Sequence, residues 1–330
     1  MFASYTRPMS ETFRAVTIAD GELVLANKSC VEPSPDEAVI AVAAAGLNAA
    51  DLLQRRGFYP APPGWPADVP GLECAGTVVR IGANVDPALL GRRVAAIVGG
   101  GGQASECVVP ASHLLQLPDS VDWATAGGFA EAFTTAYDAL VRQAHLRAGE
   151  RVAISGAAGG VGVAAVQLAA AFGARVVAVT RDDTHHEALR RFGASECVTI
   201  DAVTQCAPVD VILELVGAAH LNLAQQILAP RARVVVIGVG GGGRIDLDLL
   251  GIMARRATIT GSTLRARGND EKAEIAAAMQ RDVVPLLAAG SVRVPLAATF
   301  ALEDAEMAYA TFAQPGKLGK IVLTTEAAHR

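Results

Sequence analysis

Disulfide chemistry has little to work with in this chain. It holds five cysteines, Cys30, Cys74, Cys107, Cys197 and Cys206, an odd number with no C-x-x-C pair. That excludes a disulfide framework and suits a reducing compartment, so the cytoplasm is the expected location. Histidine is equally sparse: six residues, scattered, offering no cluster of nitrogen and sulfur ligands of the kind zinc needs. There is no excess of positive charge either. Lys and Arg total 28 against 33 Asp and Glu, a formal net charge of −5, which removes the electrostatic ground for nucleic acid or an anionic membrane. The arginine pairs Arg190-Arg191 and Arg255-Arg256 are short and isolated. No uninterrupted apolar run reaches bilayer length. Val161 to Val179 comes nearest, but Gln167, Gly173 and Arg175 break it, and its pattern turns from helical to β-branched at Ala174. It reads as a buried helix followed by a buried strand. Met1 to Glu11 lacks the apolar stretch of a secretory leader and is expected to be a polar extension.

What the chain does have is length and apolar content. Its 330 residues are 52% hydrophobic, enough for two domains with large cores. The middle alternates strand and helix. Strands are expected at 151–155, 174–180, 197–201, 209–215, 233–238 and 257–263. Helices are expected at 160–172, 184–192 (ended by Gly193) and 218–228 (stopped at Pro230). The strands are continuous apolar runs, as when helices cover both faces of a parallel sheet. The fold class is therefore α/β, with a doubly wound, six-stranded dinucleotide-binding sheet. The chain before about Phe129 is rich in Gly and Pro, with short Val-rich strands at 38–43, 76–81, 93–98 and 106–109, which suggests an irregular, mostly antiparallel β domain. After Asn269, a helix (270–289), a strand (292–299), a helix (302–312) and a last strand (320–323) are expected. The domains are thus placed at 1–129, 130–269 and 270–330, the last rejoining the first.

The first central strand runs into Gly156-Ala157-Ala158-Gly159-Gly160-Val161-Gly162 and then a helix. Glycines permit a tight turn and close approach of backbone N–H groups to a pyrophosphate, and a helix N-terminus favours negative charge. The spacing is G-x-x-G-x-x-G rather than G-x-G-x-x-G, so the strand–turn–helix context carries the reading. The second strand ends in Thr180-Arg181 where an NAD site usually has a carboxylate on the ribose. A guanidinium can bind a 2′-phosphate by paired, charge-assisted hydrogen bonds, so NADPH is expected over NADH. His185 is a second phosphate candidate. Asp182 and Asp183 leave open that Arg181 is a solvated loop residue. The ends of the later strands nominate Leu215, Val216, Gly217, Ile237, Gly238, Ser262 and Leu264 as further cofactor contacts.

Several segments point to a family: Ala44-Ala45-Gly46-Leu47-Asn48-Ala49-Ala50-Asp51, then Arg55, Gly57 and Tyr59-Pro60, then Pro70-Gly71-Leu72-Glu73-Cys74-Ala75-Gly76. Gly100 to Ala104, Glu131 to Tyr137, Ser262-Thr263-Leu264-Arg265 and Gly316 to Leu323 continue the pattern in order over nearly the whole chain. The sequence resembles the quinone oxidoreductase (zeta-crystallin) branch of the medium-chain dehydrogenase/reductase superfamily, most closely the p53-inducible subgroup. The resemblance implies a GroES-like catalytic domain interrupted by a Rossmann domain, and often a dimer. It also implies that Thr135 contacts the nicotinamide side and that Lys317 and Gly319 reach the nicotinamide end. Where zinc-dependent relatives place a catalytic cysteine stands Asn48, and Leu72 replaces the histidine of their G-H-E motif. The lobe with four cysteines is missing between Val98 and Val109. No metal is expected.

Without a Lewis acid to polarise an alcohol, the expected acceptor is one that takes hydride readily: a quinone, or alternatively an enone or alkenal reduced at its C=C bond. Asn48 is a candidate donor to substrate oxygen or to the nicotinamide ribose, its ordinary alternative being a turn or cap residue. Tyr59 is a candidate proton donor. Asp51 is expected to orient Arg55 or cap a helix, and Glu73 to stabilise the fold rather than act as a base. A reading of another class is an NADPH-binding protein that senses or interacts with little turnover. A homodimer is expected to pair along the edge strand 257–263.

Overall fold

The computed structural model describes residues 11–329. The reading of the N-terminal residues 1–10 lies outside them. The chain forms two compact units. One joins the chain up to Glu131 with the chain from Arg265 onward, and the other is Ala132–Leu264. The chain thus re-enters the first unit at Arg265, some residues before the expected return at 270.

The first unit carries two sheets. Strands β1 (Thr12–Ala19) and β2 (Glu22–Ser29) form an antiparallel hairpin. Its turn is Asp20-Gly21, with φ of 51° and 81°. A two-residue hairpin loop wants both positions at positive φ, and Asp-Gly supplies them. This hairpin is an addition to the strands expected from the sequence. The larger sheet contains β3 (Glu37–Gly46), β4 (Glu73–Ile81), β5 (Arg93–Ile97), β6 (Glu106–Pro110) and β7 (Leu114–Gln116), with two strands from the C-terminal stretch described below. β3 is central and antiparallel to both β4 and β6. Ile40, Val42, Cys74, Val78, Val94, Ala96 and Val109 make its core.

The second unit is the doubly wound sheet. Its strands are β8 (Arg151–Ser155), β9 (Arg175–Thr180), β10 (Glu196–Thr199), β11 (Val209–Glu214), β12 (Leu228–Val236) and β13 (Thr258–Gly261). They lie in the order β10-β9-β8-β11-β12-β13, all parallel. Strand order reverses between β8 and β11, where ligands of this fold bind beyond the carboxyl ends.

Some expected boundaries are corrected. The helix expected at 218–228 ends as an α-helix at Ala224 and tightens into a short 3-10 turn at Gln225–Ile227, after which β12 begins at Leu228 and runs through Pro230. The strand tolerates that proline because its register jumps there: Val209 pairs with Leu228, but Val211 pairs with Arg233. Arg231, at φ 64°, takes up the irregularity, so the missing N–H removes no ladder bond. The helix expected at 270–289 divides into Asn269–Asp282 and Val284–Ala288, because Pro285 has no N–H to continue it. The following strand, β14, is Leu296–Ala301, parallel to β15 (Lys320–Thr324), which pairs antiparallel with β3.

Candidate active site

In the first unit a cluster forms around the end of β3. Glu73, the first residue of β4, is fully buried, and Lys320, the first residue of β15, is 3% exposed. Lys320 Nζ donates to Glu73 Oε1 at 2.6 Å, to Asn48 Oδ1 at 2.7 Å and to the Leu47 carbonyl at 2.8 Å. Asn48 Nδ2 donates to Glu73 Oε1 at 3.0 Å and to the Gly46 carbonyl at 3.3 Å. Glu73 Oε2 accepts from the Glu131 N–H at 2.8 Å. Gly46 is required here, since a Cβ on it would overlap the Glu73 carboxylate. The chemistry of the partners settles the amide orientation. An ammonium only donates, so it faces Oδ1; a carboxylate only accepts, so it faces Nδ2. Both amide hydrogens of Asn48 are engaged, and what remains for a ligand is an acceptor lone pair on Oδ1. This corrects the expectation of Asn48 as a donor.

Asn48 also precedes the Ala49–Arg55 helix, and Asp51 closes that turn. The Asp51 carboxylate accepts from the Asn48 N–H at 2.7 Å and from the Gly71 N–H at 3.2 Å. Burial pushes its pKa up to about 7, opposed by these N–H groups and by the charges of Lys320 and Arg265. Asp51 is therefore a buried capping group. It does not orient Arg55, which pairs with Glu306 at 2.9 Å and donates to the Gly21 carbonyl.

Tyr59 lies in the loop after that helix, half-buried. Its ring is 4.9 Å from the guanidinium carbon of Arg265. Burial raises the phenol's pKa; Arg265 pulls it down and Glu131 pushes it further up. The hydroxyl is kept neutral, the form that donates a proton.

In the second unit, β8 delivers the glycine turn. Gly156 has φ 59°, and a Cβ on Gly162 would overlap the Gly156 carbonyl, so the helix Gly160–Ala171 packs against the turn with no side chain between. Gly159 precedes this helix and has no side chain to cap it, so the N–H groups of the first turn, among them those of Gly160 and Val161, have no side-chain cap. The turn fits a pyrophosphate by backbone alone. At the end of β9, Thr180 Oγ1 donates to the Asp182 carbonyl at 2.7 Å and meets His186 Nε2 at 2.8 Å. This staple presents Arg181 to solvent, with His185 half-exposed beside it. Hydrogen bonds from Thr184, with the charges of Arg181 and His185, lower the pKa of Asp182.

A buried carboxylate, not anticipated from sequence, organises the switch point. Glu214 Oε1, at the end of β11, accepts from Ser155 Oγ and from the Val216 and Gly217 N–H groups, all at 2.7 Å. Its Oε2 lies 2.5 Å from His220 Nδ1. Burial opposes its ionisation, but His220, Gly217 and Ser155 together hold its pKa below the usual value. The segment Leu215–Gly217 is thereby fixed, and the Ile237 and Gly238 N–H groups bond the Glu214 carbonyl beside it.

Residues 34–145 match the family described as the alcohol dehydrogenase GroES-like domain, and residues 160–281 match the zinc-binding dehydrogenase family. A quinone oxidoreductase of Pongo abelii is 31% identical over 258 residues, covering 75% of this chain and 78% of that protein. The chain belongs to the quinone oxidoreductase branch of the medium-chain dehydrogenases/reductases. A quinone oxidoreductase of Lama guanicoe is 29% identical over 94% of this chain and 97% of its own length. Among solved structures, an alcohol dehydrogenase superfamily protein from Novosphingobium aromaticivorans superposes with a TM-score of 0.85 at 28% identity, covering 96% of this chain and all of that one.

This oxidoreductase is thus a pyridine-nucleotide enzyme by family. Among its described residues, no group of three or more His, Cys, Asp or Glu is placed to hold a metal ion, despite the zinc in one family description. Among the described residues, no helix is long and apolar enough to cross a membrane. The remaining sequence candidates fall as follows. Thr135 is buried in the helix Ala130–Tyr137 and Leu264 is buried at the end of its unit. Ser262 Oγ donates to Asp138 at 3.2 Å. Lys317 turns back onto the preceding helix, donating to the Phe312 carbonyl at 2.5 Å and the Gln314 carbonyl at 3.2 Å. Gly319, at φ 88°, lets the chain pass the Pro295 carbonyl. The lysine beside Asn48 is Lys320, three residues after Lys317, a residue that sequence reasoning passed over as part of a strand.

Proposed function

We propose that this oxidoreductase reduces a quinone with NADPH, without a metal. The observation that carries this is the Lys320–Glu73–Asn48 cluster. Where metal-dependent relatives present ligands, an ammonium neutralises the carboxylate and an amide stands in place of a thiolate. Those groups suit positioning, not Lewis acidity. NADPH, when bound, supplies a hydride to the acceptor. The chain's part is to bind, orient and move a proton. The Gly156–Gly162 turn receives the pyrophosphate, and Arg181, aided by His185, binds the 2′-phosphate. Leu215 to Gly217, Ile237 and Gly238 line the nucleotide. In the first unit, Asn48 Oδ1 would offer a hydrogen-bond acceptor to a hydroxyl of the reacting molecules. Tyr59 donates its proton to the acceptor oxygen as negative charge develops there, and solvent restores it. One hydride and one proton, the latter from Tyr59, together convert a quinone to a hydroquinone, and water reprotonates the phenolate.

The test is oxidation of NADPH and NADH across quinone and enone panels, in the wild type and in Arg181→Ala. Quinones should turn over fastest with NADPH. Arg181→Ala should cost NADPH about 10–100-fold in kcat/KM, the worth of a charged hydrogen bond, and leave NADH nearly untouched. Equal losses with both cofactors refute the phosphate role. Preference for enones with a saturated product moves the assignment to C=C reduction. No turnover despite tight NADPH binding leaves a sensing role.

We also propose a homodimer, in the cytoplasm. Among the described residues β13 pairs only with β12, and the helix Leu249–Arg255, which precedes β13 in the chain and packs on β12, exposes Leu249, Leu250 and Met253. A free strand edge, with an exposed apolar helix face in the same unit, is suited to a second copy of itself. Sedimentation at the monomer mass of 33.9 kDa would remove this proposal.

A further inference from the structure

The chain re-enters the first unit at Arg265, and this residue is unusual within that unit. It is 3% exposed. Its Nε donates to the Gly99 carbonyl at 2.8 Å, its Nη1 to the Tyr59 carbonyl at 2.8 Å and its Nη2 to Gln54 Oε1 at 2.6 Å. All three acceptors are neutral. A buried guanidinium is ordinarily met by a carboxylate, because desolvating the charge is costly. Here the planar fork instead ties together three separate segments: the end of the Ala49–Arg55 helix, the loop holding Tyr59 and the turn after β5. The same guanidinium faces the Tyr59 ring. Its own carbonyl is held by Lys272 Nζ at 2.8 Å, and Lys272 is buried against Trp65.

We propose that Arg265 is a positioning residue for Tyr59, fixing the backbone and tilt of the phenol. It acts through Tyr59, since its buried head group is enclosed by protein oxygens. The proposal rests on the reading of Tyr59 as proton donor. Two kinds of contact give it specificity. The hydrogen bond to the Tyr59 carbonyl sets where the residue sits, and the cation over the ring sets how it leans. The charges around this pair are Asp51 from the helix, Glu131 from the end of the first stretch of the unit and Lys272 from the helix that follows. Lysine cannot replace Arg265, because one ammonium cannot reach three acceptors in a plane while facing the ring.

The test is a cycle. Arg265→Lys and Arg265→Met are measured alone and combined with Tyr59→Phe, reading kcat, acceptor KM and NADPH dissociation. Each single Arg265 variant should lower kcat about tenfold or more, the effect of a misplaced catalytic group, with NADPH dissociation changed by less than about twofold. In the Tyr59→Phe background the further loss should shrink to within about twofold. A full, multiplicative loss in that background overturns the proposal while leaving Tyr59 as donor. Unchanged kcat in Tyr59→Phe alone removes the donor reading, and the proposal with it. Should Arg265→Met fail to fold, Gln54→Leu takes one oxygen from the fork and keeps the charge. Its smaller loss of kcat should also disappear in the Tyr59→Phe background, and persistence there counts against Arg265 equally.

Discussion

Lys320→Met is expected to destabilise the protein by about 3–5 kcal/mol, the cost of leaving one member of a buried ion pair uncompensated. Glu73 is fully buried. Without Lys320 its carboxylate keeps only the Asn48 amide and the Glu131 N–H as donors. Neither carries charge. The effect should appear as a lower denaturation midpoint of the first unit by calorimetry or urea titration. The double variant Lys320→Met with Glu73→Gln should recover most of the loss, because a neutral pair of similar volume carries no unpaired charge. If the double variant is as unstable as the single, the lysine matters for packing and not for neutralising Glu73. Function provides a second readout. Lys320 is the donor that faces Asn48 Oδ1, and without it the amide is oriented only by its Nδ2 contacts. NADPH affinity should then fall in the double variant even where stability is restored.

Tyr59→Phe is expected to lower kcat by about 10²- to 10⁴-fold, the usual worth of a positioned general acid. NADPH binding should be unaffected, since the glycine turn and Arg181 are elsewhere in the chain. The pH dependence has a definite sign. Burial raises the phenol's pKa, so the hydroxyl keeps its proton at neutral pH and beyond. A limb of the rate profile due to its ionisation therefore lies on the alkaline side, with activity lost as pH rises through that pKa. It should be absent in Tyr59→Phe. A Tyr59→Phe enzyme with wild-type kcat for every quinone and enone would assign the proton to solvent.

Local patterns in the chain were enough to read the nucleotide unit. Apolar-rich, β-branched runs such as Arg151–Ser155 and Val209–Glu214 read as strands covered on both faces, and a glycine turn between strand and helix carries its own geometry. The first unit was less legible, because its strands are short and irregular. The Asp20-Gly21 hairpin is a feature that the structure adds, although its turn chemistry is local. Pro230 misled because proline reads as a stop. Only the pairing of β11 with β12 shows a register jump where a missing N–H does no harm.

The site itself divides along the same line. Asn48, Tyr59, Arg181 and the glycines stand out in the sequence as candidates by type and position, since each lies in a local segment with a recognisable pattern. Lys320, Glu73 and Asn48 are brought together over 272 and 25 residues of chain. Arg265 reaches Tyr59 over 206. No periodicity or motif encodes such meetings. The sequence determined which groups exist and which turns and strands carry them. The tertiary structure decided which way the Asn48 amide points, which lysine stands beside it and which cation lies over the phenol. Hydrogen-bond direction and charge compensation are properties of neighbours in space, and folding alone makes those neighbours.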